Sequence, residues 1–234
     1  MNRLSMADHS LAATLRRGDW YAALSPDLQQ RILDLGEQIS LTEGECLFAR
    51  GDAPDGVYCV LQGTVRISTV TAGGREMIVA LLEAPHWFGE IALFDNDLRT
   101  HDAWAAADTR LLRLAQRKLE HMLARHPQDW LFFARLLTQK LRAVFSAMED
   151  LALTSPTARV ARRLMNMADG FGTLAEGSQR KITVSQETLG SMLSLSRQTI
   201  NQSLKDLEVA GAIQRMRGAI LIVDISRLIA KGAE

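Results

Sequence analysis

The chain has 234 residues, 47% hydrophobic and 23% charged, with 27 basic and 27 acidic side chains, the make-up of a soluble, core-forming protein of one large or two ordinary domains. Its two cysteines, Cys46 and Cys59, form no Cys-x-x-C pair and no N-terminal cluster, which argues against a disulfide framework or an iron–sulfur site. No stretch approaches the ~18 apolar residues of a membrane span, and Arg3, Asp8 and His9 interrupt the start where a signal peptide would need an apolar run, so the expected location is the cytoplasm.

From Ile39 to Leu114 short β-rich runs alternate with glycine-containing breaks. The runs are Cys46–Phe48, Val57–Leu61, Thr64–Ile67, Met77–Leu82 and Leu111–Leu114, and the breaks include Gly44, Gly51-Asp52, Asp55-Gly56, Gly63 and Gly73-Gly74. Strands this short, with turns where positive φ or tight reversal is needed, predict a roll or barrel. After His126-Pro127 the period changes: Trp130, Phe133, Leu137, Leu141, Val144, Met148 and Leu151 recur at steps of three and four, predicting one long amphipathic helix. The stripe is longer than a compact roll would cover and approximates a heptad seam, so it is expected to join two copies of the chain.

Thr154-Ser155-Pro156 ends that helix, and a second domain is expected from residue 155. Its first helix is predicted over Thr157–Ala168, followed by a loop from Asp169 to Ser178 and a short strand near Lys181–Val184. Ser185 to Ala210 then reads as helix, turn, helix: Leu189, Leu193, Leu195, Ile200, Leu204 and Leu207 supply a core, and Arg197, Gln198, Asn201 and Gln202 stay free at the front of the second helix. Such a front is what a recognition helix carries into the major groove, where arginine matches guanine O6/N7 and glutamine or asparagine matches adenine N6/N7. Ser196 is the expected N-cap. Residues 211–223 read as a hairpin wing, with Thr199 and Arg215 expected on phosphates and Arg217 a further candidate. Charge agrees with this division: residues 1–154 hold 16 basic against 20 acidic side chains, residues 155–234 hold 11 against 7, so the C-terminal third is the one suited to a polyanion.

Taken in order, Gly44-Glu45-Cys46-Leu47-Phe48 with Gly51-Asp52, Val60-Leu61-Gln62-Gly63-Thr64-Val65, Phe88-Gly89-Glu90-Ile91-Ala92-Leu93-Phe94 with Arg99-Thr100, and Leu195-Ser196-Arg197-Gln198-Thr199 resemble the CRP/FNR family of transcription regulators, from Gly44 to about Val223. The resemblance implies an α+β fold in three parts. An N-terminal helix and a cyclic-nucleotide-binding-like jelly roll occupy 1–126, a dimerisation helix 127–154, and a winged helix-turn-helix 155–234. It implies a homodimer on an inverted repeat of double-stranded DNA, with RNA polymerase as a further partner, no membrane and no catalysis. The implied effector site is Gly89, Glu90, Ile91, Ala92, Arg99 and Thr100, with arginine and threonine on a phosphate and glutamate on a ribose hydroxyl. The implied DNA-binding set is Ser196, Arg197, Gln198, Thr199, Asn201, Gln202 and Arg215.

Two departures bear on the effector. Close cyclic-AMP binders follow the Arg-Ser or Arg-Thr pair with small residues, whereas His101 and Asp102 stand here, and Val144 and Phe145 align with positions that place polar groups against adenine. A cyclic nucleotide, including cyclic di-GMP, haem, or no small ligand all stay open, as does a structural ion pair between the one buried acid and the one arginine of this arrangement. No metal is expected, and His86, His101, His121 and His126 read as surface or hydrogen-bonded histidines. The rival function is a cyclic-nucleotide-binding regulatory subunit that controls a partner protein without touching DNA; it would require an apolar front on the second reader helix, and the front here is polar.

Overall fold

A computed structural model of the protein describes residues 6–70, 73–74, 76–153, 155–168 and 180–233. Thr154, the expected loop from Asp169 to Ser178 and the side chain of Leu151 lie outside the described residues. The chain divides into two compact units, with one boundary between Lys140 and Leu141.

The first unit opens with helices α1 (Met6–Arg16), α2 (Asp19–Ala22) and α3 (Pro26–Leu35). Ser25 starts α3 by accepting a hydrogen bond from Leu28 N at 3.3 Å, with Pro26 in the first turn where its missing N–H costs nothing. Eight strands follow: β1 (Glu37–Leu41), β2 (Cys46–Phe48), β3 (Gly56–Gln62), β4 (Thr64–Val70), β5 (Glu76–Glu83), β6 (Trp87–Phe88), β7 (Asp102–Ala105) and β8 (Thr109–Ala115), with the short helix α4 (Ile91–Asp95) between β6 and β7. They form two four-stranded sheets, ordered β1-β8-β3-β6 and β2-β7-β4-β5.

Strand alternation explains how one sheet serves two cores. On β3 and β8, Val57, Cys59, Leu112 and Leu114 face helices and pack with Leu15, Tyr21, Leu28, Ile32, Leu119 and Phe133. Their neighbours Tyr58, Val60 and Leu111 face the opposite sheet and pack with Val65, Leu82, Phe88 and Ala103. Both faces of β3 are therefore covered, which is why this strand reads as an unbroken apolar run. At the β3–β4 hairpin Gly63 has φ +83°, and a Cβ there would stand 2.3 Å from the Asp108 carbonyl oxygen, so only glycine fits.

Helix α5 (Gln116–Arg125) and a 3-10 turn (Pro127–Asp129) lead into α6 (Trp130–Leu153). The expected seam along α6 is not uniform. Phe133 is fully buried inside the roll's own core, 5.3 Å from Trp20, so it does not belong to an intermolecular stripe, and the half-buried Trp130 lies against Phe94 at 5.4 Å. From Leu141 onward the apolar side chains are open: Leu141, Val144, Phe145 and Met148 are 48–59% exposed.

In the second unit α7 (Pro156–Ala168) buries Ala158, Ala161 and Leu164 at helical spacing. The short strand β9 (Lys181–Ile182) joins β10 (Ile213–Met216) and β11 (Ala219–Ile222) in the order β10-β11-β9. Between them lie α8 (Gln186–Leu193) and α9 (Arg197–Val209), and α10 (Ile225–Gly232) follows, capped by Asp224, whose side chain accepts from Ser226 N and Arg227 N. Sequence periodicity indicates α6, α7, α8, α9 and the wing, but not β1, β6, β7, α5 or α10.

Candidate functional site

Two clusters carry the candidate chemistry, one in each unit. In the roll, Gly89 turns the chain with φ +86°, and a Cβ on it would stand 2.9 Å from Arg99 Nη1, so the glycine admits the guanidinium. Arg99 is 5% exposed and bonded from both terminal nitrogens: Nη2 donates to Asp55 Oδ1 at 2.7 Å and to Gly56 O at 2.8 Å, and Nη1 donates to Gly89 O at 3.1 Å, while the buried Nε has no partner among the described residues. Its Cζ lies 4.3 Å from the centre of the Phe48 ring. Asp55 is tied further, accepting from Tyr58 Oη at 2.5 Å, with Arg113 Nη2 at 3.5 Å. Burial, and then that hydrogen bond to Asp55, push the Tyr58 hydroxyl well above its ordinary pKa, so it stays a donor.

Glu90 is equally engaged. It is 2% exposed, and its Oε2 accepts from Lys140 Nζ at 2.6 Å, while the same ammonium donates to the Trp87 carbonyl at 2.6 Å. The cradle thus brings Gly89, Glu90 and Arg99 together beside α4, with Ala92 buried and Ile91 exposed. Thr100 is exposed and shares a 2.9 Å hydrogen bond with His101 Nδ1. Burial, more than the neighbouring Arg50 cation, lowers the His101 pKa. Asp102 does not point at the cradle: its Oδ1 accepts from Arg50 N at 2.7 Å. Asp55 and Lys140 were not readable as site residues. Asp55 reads as a turn residue before Gly56; Lys140 does lie three and four residues beyond Leu137 and Leu136, and a cation on an apolar stripe was the available signal.

In the second unit α8 and α9 form a helix-turn-helix closed by local chemistry. Ser185 and Ser196 each cap a helix, accepting from Thr188 N at 3.0 Å and Thr199 N at 3.1 Å. The turn passes through Ser194 at φ +53°, and Leu195 N reaches Gly190 O at 3.0 Å; a side chain at Gly190 would crowd the Leu195 carbonyl at 3.0 Å. Leu189, Leu193, Ile200, Leu204 and Leu207 are buried as expected. Leu195 is only half-buried.

The polar front of α9 is then sorted by its partners. Arg197 and Gln198 are exposed and hold no partner among the described residues, and the same is true of Arg217 at the wing tip. Thr199 Oγ1 pairs with the Ser196 hydroxyl at 2.8 Å. Gln202 Nε2 donates to Asp206 Oδ1 at 2.8 Å. Arg215 is held inside the domain: its Nε and Nη2 each lie 2.7 Å from Glu208 Oε2, its main-chain N donates to Oε1 at 2.8 Å, and its Nη1 donates to Asn201 Oδ1 at 3.2 Å. The backbone bond, followed by the side-chain bond, lowers the Glu208 pKa. Nothing in the spacing of Glu208 shows that the wing returns to it. Arg197, Glu187, Gln186, Arg215, Met216 and Ile220 line a groove of about 340 Å³ between the reader helices and the wing.

Two family models cover these clusters: a cyclic nucleotide-binding domain matches residues 38–126, and a Crp-like helix-turn-helix domain matches residues 158–231. The chain belongs to the CRP/FNR family of transcription regulators. It is 28% identical to a CRP-like cAMP-activated global transcriptional regulator of Mycobacterium tuberculosis over 216 residues, 92% of this chain and 96% of that one. It is 26% identical to a cyclic AMP receptor protein of Thermus thermophilus, over 89% and 94% of the two chains. The same fold appears in FixK2 from Bradyrhizobium japonicum, with a TM-score of 0.73 at 21% identity over 85% of this chain and 98% of that one. It appears again in the c-di-GMP responsive regulator CLP of Xanthomonas campestris, with a TM-score of 0.66 at 19% identity over 85% and 99%. Membership fixes the architecture of a CRP/FNR regulator for this chain: an N-terminal cyclic-nucleotide-binding-type β domain and a C-terminal helix-turn-helix. Among the described residues no helix is long and apolar enough to cross a membrane.

Proposed function

We propose that this CRP/FNR regulator acts as a homodimer that reads an inverted repeat in double-stranded DNA through the front of α9. The supporting observation is the pair Arg197 and Gln198, exposed at the N-terminal end of a capped helix and unengaged among the described residues, where a recognition helix meets base edges. Arg197 reads guanine and Gln198 adenine, Gln202 and Asn201 read further along the groove, Ser196 and Thr199 hold the helix start, and Arg217 reaches phosphate. RNA polymerase is the partner through which such a regulator acts. The deciding experiment is a binding selection on randomised duplexes. The parent should enrich a symmetric motif, and Arg197→Ala should weaken binding by ~1–3 kcal/mol and relax one base pair per half-site. No enriched motif from the parent, or an unaltered motif and affinity from the variant, would refute the reading.

The proposal also gives the roll an effector site at Gly89, Glu90, Ile91, Ala92, Arg99 and Thr100, with a cyclic nucleotide as ligand class. Because Arg99 and Glu90 are already paired, binding is an exchange: a phosphate takes the place of the Asp55 carboxylate, and a ribose hydroxyl takes that of the Lys140 ammonium. A nucleotide at 100 times its Kd adds ~2.7 kcal/mol of stability, so it should raise the parent's melting point. Arg99→Ala should abolish that rise, measured from the variant's own baseline. A second reading is favoured by the Arg99–Asp55 and Glu90–Lys140 pairs: they hold the roll in its working state with no small ligand. A parent that shifts with no nucleotide yet binds its DNA motif selects that second reading.

A further inference from the structure

Two carboxamides on the outer face of α9 are already engaged, and the chemistry of their partners fixes which end each turns outward. Asn201 meets Arg215 Nη1 at 3.2 Å, and a guanidinium carries donors only, so the atom facing it is the oxygen. Gln202 meets Asp206 at 2.8 Å, and a carboxylate only accepts, so the atom facing it is the nitrogen. Both assignments follow from the partners and not from telling nitrogen from oxygen by position.

Arg215 cannot swing away freely. Glu208 holds it by two side-chain contacts at 2.7 Å and by its main-chain N–H at 2.8 Å. Glu208 lies seven residues beyond Asn201, two helical turns along the same face, so wing and helix are joined by one guanidinium that spans both residues. A fixed cation therefore sits beside the carbonyl end of the Asn201 amide, and its amino end is the one left for a ligand.

We propose that Asn201 is a specificity-determining residue that selects a base-edge acceptor, guanine over adenine, and that Arg215 is the positioning residue that sets this polarity. The proposal rests on the DNA-binding reading above. A free carboxamide reads adenine by accepting from N6 and donating to N7 at once. Here the accepting oxygen already takes a charged donor, and the hydrogens of adenine N6 would be brought up against the guanidinium. Guanine presents acceptors at both O6 and N7, which the outward amino group can meet while Arg215 stays in place. Gln202 has the opposite polarity, its oxygen outward, and takes a donor such as adenine N6 or cytosine N4.

The test compares selections on randomised duplexes for the full-length parent, Asn201→Ala, Asn201→Asp and Arg215→Met, each at two salt concentrations. Asn201→Ala should flatten one base pair per half-site and so identify the position it reads, where the parent should prefer guanine to adenine by roughly tenfold. Arg215→Met should move that position towards adenine while leaving the other positions and the salt slope unchanged. Asn201→Asp, which keeps the Arg215 contact and removes the amino group, should lose the guanine preference without altering the wing, and it stands as the test if Arg215→Met does not fold. Adenine at the Asn201 position in the parent, no position altered in Asn201→Ala, or guanine retained by Asn201→Asp would each overturn the proposal. So would an Arg215→Met motif like the parent's with a salt slope lower by about one, since that is the signature of a phosphate contact. A parent that enriches no motif at all overturns the DNA-binding reading itself, and this inference with it.

Discussion

At the scale of single residues, the roll depends on positions where only one side chain satisfies both backbone and neighbours. Gly63 and Gly44 share φ +83°, yet their surroundings differ: a Cβ at Gly63 would meet the Asp108 carbonyl at 2.3 Å and Thr109 Cα at 2.8 Å, whereas nothing lies within 4 Å at Gly44. Gly44→Ala should therefore cost only the ~1–2 kcal/mol of left-handed backbone, and Gly63→Ala should cost clearly more because backbone must move. Denaturant unfolding of the two variants checks this, and equal losses would show that the hairpin yields. Arg99 illustrates a different dependence. The Arg-Thr motif implies a phosphate contact for it, but its hydrogen-bond partners, Asp55, Gly56 and Gly89, are up to 44 residues away in sequence and come together only when β3 is laid beside β6.

At the scale of elements, α6 does two jobs in succession. Its first turns are anchored by Phe133 and Leu136, both essentially fully buried, and by Lys140 on Glu90. From Leu141 it presents Leu141, Val144, Phe145 and Met148 with about half of each side chain open, an apolar face of the kind that associating helices bury. The regular period from Trp130 to Met148 conceals this division, because a helix buries one stripe with the same spacing whether the cover is its own sheet or a second copy of the chain. The two halves should respond differently to substitution. Phe133→Ala should cost ~3–5 kcal/mol in unfolding while leaving the oligomeric state alone. Leu141→Asp with Val144→Asp should yield monomers in sedimentation with the roll intact. A dimer that survives the double substitution would remove this face from the interface.

At the scale of the whole molecule, the proposed homodimer places a geometric requirement on DNA. A two-fold dimer carrying one α9 per copy fits half-sites whose centres lie about one helical turn, ~34–36 Å, apart. Inserting five base pairs, roughly half a turn, between the half-sites should abolish high-affinity binding, and inserting ten should restore part of it; equal affinity for all three spacings would mean that each copy reads DNA alone.

The amino-acid sequence by itself determined the order of the parts, the strand runs around their glycines, the long helix, the cap at Ser196, and the family, because each of these is written in neighbouring residues or in periods of two and 3.6. The tertiary structure decided what the charged residues are bound to. Arg99 with Asp55, Glu90 with Lys140, and Arg215 with Glu208 and Asn201 are separated by seven to fifty residues, and no local spacing encodes those pairings. Removing a charge from water is costly enough that each buried or half-buried ion must find a partner, and which partner it finds depends on how sheets and helices pack. The same packing decided that Phe133 turns into its own roll while Leu141 and Val144 turn outward, since a stripe shows that a face is covered but not what covers it.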